Sequence, residues 1–118
     1  MPTMKTLAFL TIMTLVPVVS AQNLHRTIFD TEKRFEKMVA EKGIRDGFME
    51  FLSPVAVMFM PDATNGREAW KARPASPASL TWNPIWIDVA TNGALGYSIG
   101  NSQYLAKGKD DPAVVYGH

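Results

Sequence analysis

The sequence predicts an α+β domain, with helices packed on one curved antiparallel sheet, and three observations carry that prediction. Apolar residues recur at helical spacing through two segments before Ser53. An uninterrupted apolar run bounded by prolines follows, at Val55 to Met60. From Leu80 onward, aromatic and β-branched residues are punctuated by Asn-Gly and single-Gly turn signals.

The first 21 residues stand apart from the fold. Met1 to Lys5 carries one positive charge, Leu7 to Val19 is apolar, and Val19-Ser20-Ala21 fits a small-residue cleavage site. A membrane span needs about 20 apolar residues, so this shorter run reads as a cleaved secretory signal. Pro17 and the β-branched Val18 and Val19 weaken the other reading, a buried N-terminal helix. The expected product is a secreted or periplasmic domain over residues 22–118, with no membrane association after cleavage.

That leaves 97 of the 118 residues, enough for one small domain. Lys5 is the only charge removed, so 11 basic residues face 11 acidic ones. A balanced charge argues against a nucleic-acid partner, which would need a basic patch. The chain has no cysteine, so stability must come from packing rather than disulfides. Structural zinc is disfavoured too, because the two histidines, His25 and His118, stand at opposite ends of the mature chain.

Element by element, Leu24, Ile28, Phe35, Met38 and Val39 form the apolar face of a first helix ending at Gly43. Ile44, Phe48, Phe51 and Leu52 repeat that stripe in a second helix, with Gly47 a helix-weakening residue inside it. Val55 to Met60 reads as a buried strand. Asn65-Gly66 opens a short helix over Arg67 to Arg73, anchored by Trp70 and stopped by Pro74. Trp82 to Val89 is a strand, broken or bulged near Pro84. Thr91-Asn92-Gly93 turns it into a hairpin partner over Ala94 to Leu105, where Gly96 and Gly100 signal a bulge or bend. Lys107 to Pro112 is a second turn, and Ala113 to His118 opens another strand.

This order, with Ala56-Val57-Met58-Phe59-Met60-Pro61 and Asn65-Gly66-Arg67-Glu68-Ala69-Trp70, resembles the SnoaL-like branch of the nuclear transport factor 2-like superfamily. Gly93 to Gly100 and the closing Tyr116-Gly117-His118 add to the resemblance, which covers Phe29 to His118. It implies a cone-shaped, strongly curved antiparallel sheet around a pocket, and a homodimer paired through the open side of the sheet. Members continue through a further strand and a half. The resemblance therefore implies that the last strands are missing here, leaving Val55 to Met60 without its usual neighbour.

Enzymes of the superfamily, such as ketosteroid isomerase, do acid-base work inside the cone. In that branch the base carboxylate stands directly before the Pro that ends the first strand. This chain has Met60 there, which cannot accept a proton, and Asp62, two residues later, is either a substitute for that base or an exposed turn residue beside Pro61. Asp88 is the other carboxylate at sheet depth. Strand alternation puts it on the face of Trp82 and Trp86, opposite Ile85, Ile87 and Val89. There it is either a general base or a solvated strand end. His118 is either a catalyst or a hydrogen-bonded structural residue. Trp82, Trp86, Tyr97 and Tyr104, with Met58 and Phe59, are core and dimer face on one reading. On the other they line a pocket for a flat apolar ligand, with Tyr97 and Asn101 as polar handles. No nucleophile constellation, phosphate loop, metal site or cofactor motif is present in the sequence.

Three functions follow as expectations. The first is binding of a small, largely apolar molecule, with Trp82, Trp86, Met58 and Asn101 as ligand contacts. The second is an isomerase, dehydratase or cyclase using Asp88 or His118 with Tyr97. The third is a structural dimerisation module.

Overall fold

The structure, a computed structural model, describes residues 20–117. The expected signal segment up to residue 19 and the candidate catalyst His118 lie outside the described residues. Helix α1 runs Ala21–Lys42 and is capped by Ser20, whose hydroxyl accepts from the Asn23 amide. Gly43 ends it at φ +88°, a backbone conformation that favours glycine, and the chain re-enters helix as α2, Ile44–Phe51.

The two helices meet at Gly47. A Cβ there would stand 2.8 Å from the Val39 Cα and 2.9 Å from Val39 Cγ2, so only glycine allows the approach. Val39, at 2 % exposure, is the best-buried hydrophobic side chain among the described residues. Around it, Ile44 and Ala78 are buried, with Phe35, Phe48, Trp70, Leu80 and Trp82 packed against them. Phe35 organises the aromatic part: it stacks on Phe51 at 4.4 Å and meets Phe48 and Trp82 edge-on at 4.7 and 5.0 Å.

The β layer is two separate antiparallel sheets, neither strongly curled. A hairpin pairs β1 (Val57–Phe59) with β2 (Ala63–Asn65), a strand that the turn signals at Pro61 and Asp62 had hidden. The expectation that the apolar run is buried is overturned, because Val55, Val57, Phe59 and Met60 are exposed and Met58 is half-buried. Only β2 pairs with β1, so no strand lies along its far edge among the described residues. Asn65 ties the hairpin to its surroundings. Its amide donates to the Pro54 carbonyl at 2.8 Å, and its Oδ1 accepts from the Glu68 amide at 3.1 Å, capping α3 (Gly66–Lys71).

The larger sheet has the order β3-β4-β5, with β3 Ser79–Val89, β4 Gly96–Leu105 and β5 Val115–Gly117. The β3–β4 turn closes as expected at Gly93 (φ +71°), with Asn92 Oδ1 accepting from the Ala94 amide at 3.0 Å. Asp111 shapes the β4–β5 turn by accepting from the Lys107 and Ala113 amides at 2.9 and 3.0 Å. Those bonds, Ala113 first and Lys107 second, hold its carboxyl below the ordinary value.

The register of β3 against β4 shifts between Pro84 and Trp86. Pro84 lies opposite Gly100, where a Cβ would come within 2.4 Å of the Asn83 carbonyl oxygen. The shift inserts one unpaired position, Ile85, and so reverses which side chains face α1. Before it Leu80, Trp82 and Pro84 are the more buried residues; after it Ile87 and Val89 are. This corrects the face assignment made from unbroken alternation. Trp82 lies with Ile87 and Val89 under α1, while Trp86 and Asp88 are on the outer face.

Two opposed effects make Gly47→Ala informative. Helix propensity alone would stabilise the variant by about 1 kcal/mol, whereas overpacking against the Val39 backbone costs about 1–3 kcal/mol. The expected outcome is net destabilisation in urea unfolding, and a more stable variant would contradict the helix contact.

Candidate functional site

α1 lies chiefly over β3, which leaves part of the β4–β5 surface uncovered. A cleft of about 540 Å³ occupies that strip. Lys33 and Glu36 of α1 form one wall, and segments 81–83, 101–103 and 116–117 form the floor. The register pairs Ser102 with Gly117 at the α1-facing positions, so the floor is built from two of the smallest side chains. Space remains there because neither residue fills it.

The wall is held by two glutamates one helical turn apart. Glu36 Oε2 accepts from the Trp82 backbone amide at 2.6 Å, and Oε1 accepts from Lys33 Nζ at 2.7 Å. Glu32 Oε2 accepts from the Trp82 indole Nε1 at 2.8 Å, and its Oε1 accepts from the Ser98 hydroxyl at 2.7 Å. Trp82 is thus fixed at both its backbone and its indole nitrogen, with its ring against Phe35. Each carboxylate has both oxygens engaged, and Lys33 is paired. The wall therefore presents a compensated charge pair and a rigid aromatic ring rather than a free base.

Neither glutamate had been singled out from the sequence, although a signal for Glu32 was present. The α1 stripe Leu24, Ile28, Phe35, Val39 skips the core-facing place between Ile28 and Phe35, and Glu32, four after Ile28, fills it. A carboxylate at such a place must find hydrogen-bond donors across the interface.

The residues expected to form a site divide among four places. Trp82 and Asn101 line the cleft together. Trp86, Asp88 and Tyr97 sit on the outer face, with Asp88 directly across from Tyr97 and Trp86 across from Ile99. Asp88 is exposed, its Oδ1 accepting from the Val89 amide at 2.9 Å, and with Tyr97 it borders a shallow depression of about 230 Å³. Met58 is on the β1–β2 hairpin, in contact range of Gly66. His118 lies outside the described residues.

Among the described residues no three His, Asp or Glu side chains gather in a group that would hold a metal ion. Among them, too, no helix is long and apolar enough to cross a membrane. Comparison with protein-family models, with curated proteins and with solved structures finds no match in any of the three.

If Glu32 holds α1 to the sheet, removing its carboxylate leaves the Trp82 indole N–H without an acceptor. Glu32→Ala is expected to lower the unfolding free energy by about 1–3 kcal/mol. Glu32→Gln, which keeps one carbonyl acceptor, should lose less. Equal stability of Glu32→Ala and the parent in chemical denaturation would contradict this role.

Proposed function

We propose that this chain is an exported SnoaL-like domain that binds a small, largely apolar molecule in the cleft between α1 and the β3-β4-β5 sheet. One observation carries the reading: about 540 Å³ of space beside a tryptophan locked at both nitrogens, over a floor kept low by Ser102 and Gly117. A pocket of this size takes a ligand of drug-like dimensions, and a pre-positioned aromatic wall reduces the ordering cost of binding. The fixed Lys33–Glu36 pair at the mouth supplies polarity for orientation without a net charge. The SnoaL-like assignment rests on the Gly93 to Gly100 strand, the Asn65-Gly66 helix start and the α-then-β element order, and the cone-shaped pocket is part of that proposal. Export rests on the apolar run Leu7 to Val19.

A second reading, a homodimerisation module, draws support from the outer sheet face. Trp86, Tyr97 and Ile99 are 60, 51 and 51 % exposed there and adjoin one another by register. Burial of such a face against a second copy is the ordinary use of an exposed aromatic patch. The acid-base reading through Asp88 and Tyr97 draws less, because both lie on that open face and outside the cleft.

A titration with neutral apolar fragments, followed by amide and indole chemical shifts, tests the binding reading. The expected result is saturable perturbation of Trp82 and Ser102, lost in Ser102→Phe while the helical circular dichroism is retained. Perturbation centred on Trp86 and Tyr97, or full binding by Ser102→Phe, would overturn it.

A further inference from the structure

A second cavity lies at the other end of the helix–sheet interface. Its volume is about 300 Å³, and it is walled by the start of α2, the end of α3, the 73–78 connection and the Leu80–Tyr104 pair of the sheet. Two arginines, Arg45 and Arg73, reach it. Their chemistry is distinct from that of the first cleft, where the basic group is already paired.

Arg73 has no carboxylate within ion-pair distance among the described residues. Its guanidinium lies over the Trp70 ring at 4.4 Å, and Nη2 contacts the Met60 sulfur at 3.8 Å. Stacking of this kind holds the planar group in place and leaves its in-plane N–H donors available. Arg45 is drawn to the same spot, its Nη1 donating to the Arg73 carbonyl at 3.5 Å. Asp46 takes the Nε edge of Arg45 at 2.8 Å, so that guanidinium is only partly compensated. Arg45 also stands in the first turn of α2, which has no side-chain cap, and the positive end of the helix dipole adds to its charge. Trp70 contributes its ring to the wall, while its indole nitrogen is buried and has no hydrogen-bond partner among the described residues.

The rest of the wall is mostly apolar, built by Ile44, Pro74, Ala78 and Leu80, with Ser76 and Tyr104 as its other polar-bearing residues. A cavity that joins guanidinium donors to an aliphatic wall discriminates in two ways. It favours an anion over its neutral isostere, and an anion with an apolar body over a bare inorganic ion. We propose that this cavity is a receptor for a small carboxylate with an apolar body, with the carboxylate on the Arg73 guanidinium and Arg45 in support. The site is separate from the α1 cleft, and it stands or falls independently of the function proposed for that cleft.

Benzoate is a suitable probe, with benzamide as the neutral isostere and inorganic phosphate as the bare anion. The three are titrated into the 15N-labelled protein, and the Trp70 indole resonance is followed after assignment with Trp70→Phe. Saturable binding of benzoate is expected, at least tenfold tighter than benzamide and tighter than phosphate. Arg73→Gln should weaken benzoate at least tenfold, and Arg45→Gln should weaken it less. The proposal is overturned if benzamide matches benzoate, which removes the charge argument. It is equally overturned if phosphate matches benzoate, which removes the apolar wall. Absence of a saturable shift in the unmodified protein also overturns it, and that comparison needs no variant to fold.

Discussion

The hydrogen bonds of Glu32 are the constraint on which the arrangement depends. One carboxylate on α1 joins the Trp82 indole of β3 to the Ser98 hydroxyl of β4, and so fixes helix, strand and neighbouring strand against one another. Glu36 repeats the device one turn later by taking the Trp82 backbone amide. An apolar side chain at position 32 would pack against the sheet but leave the indole N–H unanswered. Non-directional burial would then permit the helix to slide. With the carboxylate there, the helix has one seat, and the cleft beside it has a defined wall.

The sheet contributes the second constraint, through the register shift at Pro84. Proline cannot donate to the ladder, and Gly100 opposite it accepts the close approach of the Asn83 carbonyl because it lacks a Cβ. One unpaired residue then exchanges the two faces of β3. Trp82 is drawn under α1, and Trp86, four residues on, is turned outward. Gly96 works with this arrangement, since the Ile28 side chain occupies the place where its Cβ would stand. The glycines of β4 are therefore the sheet's half of the helix–sheet contact.

Much of this was legible in the sequence, and the failures have physical causes. The helical stripes of α1 and α2, the Asn65 cap, the Asn92-Gly93 turn and the bulge near Pro84 all carry local signals, and all occur. The grouping of Asp88 and Trp86 with Trp82 did not follow, because alternation counted through a bulge gives the wrong parity even when the bulge itself is foreseen. β1 reads as buried from its composition. Burial, however, depends on a neighbour, and the hairpin pairs Val57 and Phe59 with β2 alone, leaving Phe59 74 % exposed. The glutamates of the cleft wall and the arginine cavity were invisible for a different reason. Each depends on contacts between residues about thirty to seventy positions apart, which no local pattern encodes.

Glu32 and the Pro84 shift together decide which face of the sheet lies under α1. Nuclear Overhauser contacts in the labelled protein test it directly. Cross-peaks are expected from the Trp82 indole N–H to the Glu32 side chain and from the Ile28 methyl to the Gly96 α-protons, with none from the Trp86 indole to α1. Cross-peaks linking the Trp86 indole to Ile28 or Phe35 would contradict it, since they would put the opposite face beneath the helix.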